Sequence, residues 1–293
     1  MKDIIIIGAG PAGMTSALYL LRSNKSVAII EKNSFGGKIA LAHNVENYPG
    51  KMKMSGIEFS DELLEQITSA GCEFVYDEAT SIEKKNDTFN IQCLGESVEG
   101  KTVIIAAGTK NRPLGVENEE KYVGKGISYC ALCDGAFYKD KEVIVVGGAS
   151  SALTESLYLS SICKKVTTIV RRDTFTGENY LVEKVLNTKN IKVIYNSIIT
   201  SYNTKNDKLV SVTLDNKKKI KADGIFLAIG STPNSELFDV EKENNYIITN
   251  KNYETNIKNV FAVGDVIKKD YYQLINASSE GMTAASTIIE REK

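Results

Sequence analysis

The sequence IIIIGAGPAG, residues 4–13, joins a run of four isoleucines to the glycine pattern GxGxxG. A continuous β-branched run predicts a strand that is buried on both faces of a parallel sheet. A helical pattern follows through Leu21, and a second strand, residues 27–30, ends at Glu31. Strand, glycine turn, helix, strand and acidic residue together form a βαβ dinucleotide-binding fingerprint, which is much more specific than the glycines alone.

The residues of this fingerprint have different physical tasks. Gly8 makes the tight turn, Gly10 lets the backbone approach a pyrophosphate, and Gly13 allows the helix to pack closely on the strand. The helix N-terminus offers N–H groups and positive potential to the phosphates. Glu31 is positioned to accept hydrogen bonds from ribose hydroxyls. We therefore predict a bound dinucleotide here rather than a glycine turn without a ligand.

The same pattern returns in the middle of the chain in a degraded form. A strand over residues 143–146 precedes the turn GGASSA, residues 147–152, and a helix and a further strand follow. The position of the close-approach glycine is taken by Ala149, whose Cβ would stand where a pyrophosphate should lie. Two βαβ units predict an α/β fold with two Rossmann-like, three-layer domains.

A CxxC pair, Cys130 and Cys133 in the sequence CALCDG, lies just before the second unit. Such a pair can form a small disulfide, hold two thiols, or supply half of a zinc site, which would need two more Cys or His. The other cysteines are scattered and His43 is the only histidine, so redox use is favoured over zinc and no metal site is predicted. Asp134 follows as a candidate proton donor or acceptor.

Composition narrows the class of protein. The chain has 293 residues, a length typical of about two domains. A net charge of −1 gives no overall attraction to nucleic acid or to an anionic membrane. No apolar run approaches the roughly 20 residues of a membrane span, and the first residues do not resemble a signal peptide. We expect a cytoplasmic protein without a nucleic-acid or membrane partner, in which a CxxC is more often catalytic than structural.

Four motifs in this order resemble the low-molecular-weight thioredoxin reductases, and the resemblance covers nearly the whole chain. It implies an FAD-binding domain made of residues 1–112 and 242–293. A CxxC domain with a degraded NADPH-type fold, residues 113–241, is inserted into it. The motifs are GAGPAG (8–13), ENYPG (46–50), CALCDG (130–135) and GDV (264–266).

The resemblance also implies roles for single residues and for partners. Glu31 holds the adenosine ribose of FAD, and Asp265 bonds the ribityl chain. Cys133 faces the flavin, Cys130 attacks the disulfide of thioredoxin, and Asp134 handles the proton. The family usually forms homodimers. The implied FAD contacts are Gly8, Gly10, Pro11, Ala12, Gly13, Glu31, Gly36, Gly37, Lys38, Asn47, Ala107, Gly108, Gly264, Asp265, Gln273 and Leu274.

The departures from the family concern the electron donor. Usual members carry GxGxxA in the central domain and HRRxxxR after the next strand, both for NADPH. Here Ala149 replaces the second required glycine, and Val170 and Thr176 replace the His and the last Arg. Arg171 and Arg172 remain able to meet a 2′-phosphate, so the sequence puts NADPH in doubt without excluding it. The same loss marks the ferredoxin-dependent flavin thioredoxin reductases of anaerobic bacteria, which this sequence resembles most.

Four functions are therefore compared. The first is an FAD-dependent thioredoxin reductase that takes electrons from ferredoxin, and the second is the same enzyme using NADPH through a poorer site. A ferredoxin–NADP⁺ reductase of similar fold is disfavoured because such enzymes lack the CxxC. The fourth is a non-enzymatic flavin-bound redox sensor. Because ferredoxins are usually acidic, three basic pairs are candidate docking residues. They are Lys164-Lys165, Arg171-Arg172 and Lys268-Lys269.

Overall fold

The computed structural model describes residues 1–42, 45–205 and 208–291, so His43 lies outside the described residues. The chain divides into two compact units. The terminal unit comprises Met1–Lys110 and Thr232–Lys293, and the central unit comprises Asn111–Ser231. No helix in the described part of the chain combines the length and the hydropathy that a membrane crossing demands.

The secondary-structure elements follow in chain order. The strands are β1 (Lys2–Ile7), β2 (Val27–Ile30), β3 (Glu73–Val75), β4 (Ala79–Lys85), β5 (Thr88–Cys93), β6 (Ser97–Ile105), β7 (Thr109–Asn111), β8 (Ile127–Ser128), β9 (Glu142–Val146), β10 (Lys165–Ile169), β11 (Ile191–Ile194), β12 (Ile199–Lys205), β13 (Lys208–Leu214), β14 (Lys219–Lys221), β15 (Gly224–Leu227), β16 (Ser231–Pro233), β17 (Lys242–Glu243), β18 (Tyr246–Ile247) and β19 (Val260–Ala262). The helices are α1 (Pro11–Leu21), α2 (Gly56–Ser69), α3 (Glu119–Tyr122), α4 (Ala131–Asp134), α5 (Ser150–Ser160), α6 (Asn179–Asn187) and α7 (Leu274–Arg291). Short 3₁₀ helices cover Gly37–Leu41, Gly135–Tyr138 and Gly264–Val266.

The terminal unit is organised around β1, the isoleucine strand. Its sheet has the order β3-β2-β1-β6-β5-β4, and β19 pairs with β6 in addition. In parallel register, Ile4 lies opposite Val27 on β2 and opposite Thr102 on β6. Each isoleucine of the run is at most 7% exposed, because helices and loops cover both faces of the sheet. The prediction of a central strand buried on both sides is confirmed.

The central unit repeats this plan on a smaller scale. Its parallel sheet has the order β11-β10-β9-β15-β8, and β12, β13 and β14 form a separate antiparallel sheet. Helix α5 connects β9 to β10, as α1 connects β1 to β2. The fold class of two Rossmann-like domains is therefore confirmed. Helix α6 was not expected from the sequence, although its buried Leu181 and Val185 have the four-residue spacing of a helix face.

The two chain crossings between the units are short strands, β7 and β16, which pair with each other. The sequence predicts the return to the terminal unit at residue 242, whereas the structure places it at Thr232. The intervening segment joins the terminal core because Phe238 is 2% exposed and packs in a cluster that contains Ile5 and Ile7. Such a contact between distant parts of the chain leaves no periodic trace in the sequence.

Candidate active site

The first glycine turn has the geometry of a phosphate cradle. A methyl group placed on Gly8 would lie 2.4 Å from the carbonyl oxygen of Ala106, and one placed on Gly13 would lie 2.1 Å from that of Gly8. These two glycines are therefore required by the packing of the protein itself. A methyl group on Gly10 would meet no described atom within 4 Å, although Gly10 is the N-cap of α1. The open space at a helix N-terminus fits the pyrophosphate of FAD.

The acidic residue at the end of β2 borders this space. One Glu31 carboxylate oxygen accepts the Ala9 N–H at 2.8 Å, and the other accepts the Asn33 N–H at 2.8 Å. The Gly36 N–H donates to the Ala9 carbonyl oxygen at 2.9 Å, which holds the following loop against the turn. Pro11 is the first residue of α1, where its missing N–H is not needed. The turn, Glu31 and the following loop are therefore joined by hydrogen bonds at the predicted FAD site.

Replacing Glu31 with Ala should weaken FAD binding about tenfold to a hundredfold. The substitution removes a charged acceptor from the ribose, and a hydrogen bond to a charged group is worth roughly 1.5–3 kcal/mol. Titration of the apoprotein with FAD, followed by flavin fluorescence, measures the change. Glu31→Gln keeps a neutral acceptor and should lie between wild type and Glu31→Ala. An unchanged FAD affinity in Glu31→Ala would exclude this residue from the ribose site.

Two further pairs of predicted FAD contacts touch each other in the terminal unit. Lys38 pairs with Asp265 at 2.9 Å and donates to the Thr109 hydroxyl at 2.7 Å. The Asn47 amide donates to Gln273 at 3.2 Å, and Gln273 directly precedes the first residue of α7, Leu274. Lys38 and Asp265 are thus in contact, as are Asn47 and Gln273, and all the predicted FAD contacts lie in the terminal unit.

Two loops that carry predicted FAD contacts, one at Ala107 and one at Gly264, are held by residues that the sequence analysis missed. The backbone N–H of Gly264 donates to Glu280 of α7 at 2.8 Å. The Asn234 side chain donates to the Ala107 carbonyl at 2.8 Å, and its backbone N–H donates to Gly108 at 2.9 Å. A methyl group on Gly264 would approach the Cβ of Ala12 to 3.0 Å, so this loop lies directly on α1.

A buried ion pair between Lys269 and Glu280 lies next to Asp265. Lys269 lies 2.9 Å from Glu280 and 3.7 Å from Asp265, and both Lys269 and Glu280 are at most 10% exposed at the side chain. Burial raises the pKa of Glu280, and the ammonium group of Lys269 opposes the rise. The only sequence signal was the four-residue spacing between Asp265 and Lys269.

The candidate docking residues have unequal surroundings. Lys269 is buried in the ion pair just described, so the structure removes it from the candidates. Lys268 pairs with Glu243, and Lys165 lies 3.8 Å from Glu142. Lys164, Arg171 and Arg172 are exposed on the central unit. Lys165 and Lys268 are exposed as well but already pair with a carboxylate, so Lys164, Arg171 and Arg172 remain as the candidates without an ion pair in the described part of the chain.

The CxxC pair forms a disulfide at the start of α4 in the central unit. Cys130 is the N-cap of this helix, and its sulfur accepts the Cys133 N–H at 3.2 Å. The hydroxyl of Ser128 donates to Asp134 at 2.6 Å and accepts the Cys130 N–H at 3.0 Å. Ser128 thereby ties the carboxylate of Asp134 to the backbone of the first cysteine. We call residues 128–134 the redox turn.

The other three cysteines are buried free thiols. Burial raises the pKa of Cys72 to about 12 and the pKa values of Cys93 and Cys163 to about 11. Thiols of this kind are rarely ionised near neutral pH, so they are poor nucleophiles. Among the described residues, no group of three or more His, Cys, Asp or Glu side chains is arranged to hold a metal ion.

The second glycine turn has nearly the same backbone conformation as the first, but a loop covers it. Ala149, the N-cap of α5, has φ −94° and ψ 176°, close to the φ −76° and ψ 177° of Gly10. A methyl group on Gly177 would lie 2.7 Å from the Ser150 nitrogen and 3.0 Å from the Ala149 carbonyl carbon. The Thr176 N–H donates to the Gly148 oxygen at 2.7 Å. The loop after β10 therefore packs directly on the start of α5.

Comparison with known proteins places this geometry in a family. The family model described as pyridine nucleotide-disulphide oxidoreductase matches residues 2–281. The thioredoxin reductase of Bacillus subtilis is 36% identical over 294 residues, covering 98% of this chain and 93% of the relative. The thioredoxin reductase of Mycoplasma genitalium is 40% identical over 291 residues, covering 96% and 92%.

A solved structure agrees with these sequence relatives. The crystal structure of thioredoxin reductase from Streptococcus pyogenes matches with a TM-score of 0.95 at 36% identity, over 100% of this chain and 99% of that chain. These matches confirm the family that the four sequence motifs predict. The chain belongs to the pyridine nucleotide-disulphide oxidoreductase family and, within it, to the low-molecular-weight thioredoxin reductases, which are flavin-dependent disulfide oxidoreductases.

Proposed function

We propose that this enzyme passes electrons from reduced ferredoxin through FAD and the Cys130/Cys133 pair to the disulfide of thioredoxin. The choice of ferredoxin as the donor rests on one observation: the loop after β10 packs on the start of α5. In the first βαβ unit the matching position, Gly10, leaves an open space. In the second unit Ala149 carries a Cβ, and Gly177 packs against the first backbone N–H of the helix. A pyrophosphate has little access to that N-terminus.

Beside the second turn, an apolar side chain stands where the family carries the histidine of its HRRxxxR motif. Val170 is 2% exposed, and its methyl group would lie 2.9 Å from a Cβ on Gly148, so it packs on the glycine turn. Loss of two or three hydrogen bonds to phosphate, each worth roughly 1.5–3 kcal/mol, weakens binding by several powers of ten. Arg171 and Arg172 are exposed. Without a backbone cradle their charge supports only loose binding of NADPH.

Electron transfer from ferredoxin is favourable without a nicotinamide. Plant-type ferredoxin clusters have potentials of about −400 mV, and thioredoxin has a potential of about −270 mV. The difference of about 130 mV corresponds to roughly 6 kcal/mol for two electrons. FAD supplies, when bound, a carrier that accepts single electrons and delivers two to a disulfide.

The redox turn provides the groups for the thiol chemistry. After reduction, the Cys133 N–H and the N-terminus of α4 favour a thiolate at Cys130. The Cys130 thiolate attacks the thioredoxin disulfide, forms a mixed disulfide and releases one thioredoxin thiolate. The Cys133 sulfur then attacks Cys130 and releases the second thiolate, which restores the Cys130–Cys133 disulfide. In this proposal Asp134, whose carboxylate accepts the Ser128 hydroxyl, passes a proton to a leaving thiolate.

Reduced ferredoxin should bleach the flavin of the holoenzyme rapidly, whereas NADPH and NADH should bleach it slowly or not at all. The measurement is anaerobic stopped-flow absorbance of the oxidised flavin with each donor in turn. Dithionite serves as the control that the bound flavin is reducible. Rapid bleaching by micromolar NADPH would overturn the proposed donor and indicate an NADPH-dependent enzyme instead. Failure to turn over thioredoxin disulfide with any donor would favour a redox sensor.

Two further expectations follow from the family resemblance. We infer that the enzyme is a homodimer, which light scattering of the purified holoenzyme tests. We also infer a cytoplasmic location, where thioredoxin and ferredoxin are both found. Neither expectation enters the argument about the donor or the redox turn.

A further inference from the structure

A carboxyl group on α5 lies against the redox turn and has no role in the chemistry described above. Glu155 faces the backbone N–H of Ala131, the residue that follows Cys130 and begins α4. Its Oε2 atom is buried and has no hydrogen-bond partner among the described residues. A buried carboxyl oxygen without a partner is costly to keep ionised, so its presence beside a redox-active pair needs a reason.

The surroundings of Glu155 place its titration near neutral pH. Burial raises its pKa to about 7, and the Ala131 N–H opposes part of this rise. No neighbouring charge on the residues that the structure describes contributes to this shift. On the elements packed against α5, Glu142 and Lys165 pair with each other, and Asp134 is bound by Ser128. The titratable residues on α5 and on the elements packed against it are Tyr158, Cys133, Asp134, Tyr180, Glu183, Lys184, Glu142, Lys165 and Lys192.

We infer that Glu155 is a positioning residue of the redox turn, which holds the Ala131 N–H and takes up a proton when the Cys130–Cys133 disulfide is reduced. This inference rests on the proposed redox role of the two cysteines. Reduction breaks the S–S bond with two electrons delivered by FAD and leaves two sulfur anions. Negative charge at the turn raises the proton affinity of the neighbouring carboxylate. One proton then moves from water to Glu155, so that the net charge at the turn changes by one unit rather than two.

The sign of the pH dependence follows from this arrangement. Well below pH 7, Glu155 is already protonated in the oxidised protein and takes up nothing on reduction. Above pH 7 it is ionised in the oxidised protein, so reduction adds a proton to it. The number of protons that Glu155 takes up on reduction is therefore small near pH 6 and largest at moderately alkaline pH.

The test compares the holoenzyme of wild type, Glu155→Gln and Glu183→Gln. Gln has the shape of Glu and keeps an acceptor for the Ala131 N–H, but it does not titrate. Glu183 is an exposed acidic residue of α6 and serves as the matched control. Each protein is equilibrated with dithiothreitol buffers between pH 6 and 9, and the Cys130 and Cys133 thiols are alkylated and counted by mass spectrometry.

At pH 6 the equilibrium constants for reduction of the Cys130–Cys133 disulfide by dithiothreitol should agree among the three proteins, because Glu155 is then already protonated. Above pH 7, the ratio of the wild-type constant to that of Glu155→Gln should change by up to about tenfold per pH unit, because one more proton is involved. Glu183→Gln should follow wild type. Parallel pH dependences in wild type and Glu155→Gln would overturn the role of Glu155. A disulfide that no dithiol reduces would instead overturn the proposed function, so the two failures are distinct.

A second measurement needs no variant. Infrared difference spectra of the wild-type holoenzyme before and after reduction at pH 7.5 should show the loss of a carboxylate band and the gain of a carboxylic acid band. The flavin contributes no carboxylate, so these bands report a side chain. Spectra without a new carboxylic acid band would overturn the inference even if Glu155→Gln failed to fold.

Discussion

Replacing Cys130 with Ser should abolish thioredoxin reduction, and replacing Cys133 with Ser should trap thioredoxin on the enzyme. The thiolate is the nucleophile of disulfide exchange, and a serine hydroxyl cannot replace it. Loss of a nucleophile of this kind lowers turnover by about a thousandfold or more. In Cys133→Ser, Cys130 still attacks, but no neighbouring thiol displaces the thioredoxin. The product is a mixed disulfide that accumulates.

The measurements are thioredoxin turnover with dithionite-reduced holoenzyme, and mass spectrometry of the trapped species without reductant. Dithionite makes the result independent of the physiological donor. Cys163→Ala removes a buried free thiol of the central unit and is the matched control, which should keep its activity. Full activity in Cys130→Ser or in Cys133→Ser would exclude the dithiol mechanism. Trapping by Cys130→Ser instead of Cys133→Ser would reverse the two roles.

The second large effect is expected at the first glycine turn, where Gly10→Val should abolish FAD binding without unfolding the protein. The φ of −76° and ψ of 177° at Gly10 lie in the broad β region, which valine adopts readily. The Cβ itself meets no described atom within 4 Å. The isopropyl group therefore fills the open space that the pyrophosphate requires. Loss of two or three phosphate contacts lowers affinity by at least about a thousandfold.

Ala149→Val is the matched control, because Ala149 has the corresponding position and nearly the same backbone angles in the second βαβ unit. It should bind FAD as tightly as wild type. Flavin absorbance after gel filtration and FAD titration of the apoprotein measure binding, and circular dichroism melting of the apoprotein measures folding. A yellow, fully loaded Gly10→Val protein would show that the dinucleotide does not lie on this turn.

The elements that the sequence predicts well are those with a strong local pattern. The isoleucine run became β1, and the glycine turn became the N-terminus of α1. Ser55 and Glu58 form a capping box at the start of α2, and this pattern is local as well. The family could also be predicted from the sequence, because each of its four motifs is a short, continuous stretch of residues. Helix α6 was missed despite a usable pattern, since its buried residues, Leu181 and Val185, are few.

By itself, therefore, the sequence determined the fold class, the family and the pairing of Cys130 with Cys133, because each of these depends on residues that are neighbours along the chain. Only the tertiary structure decided that Lys269 is buried behind Asp265, that Gly177 covers the start of α5, and that Glu155 lies against Ala131. Each of these depends on contacts between segments that are distant in sequence, where burial and the close approach of backbones change the charge and the access of a side chain. Such contacts follow from the packing of whole elements, and no local periodicity encodes them.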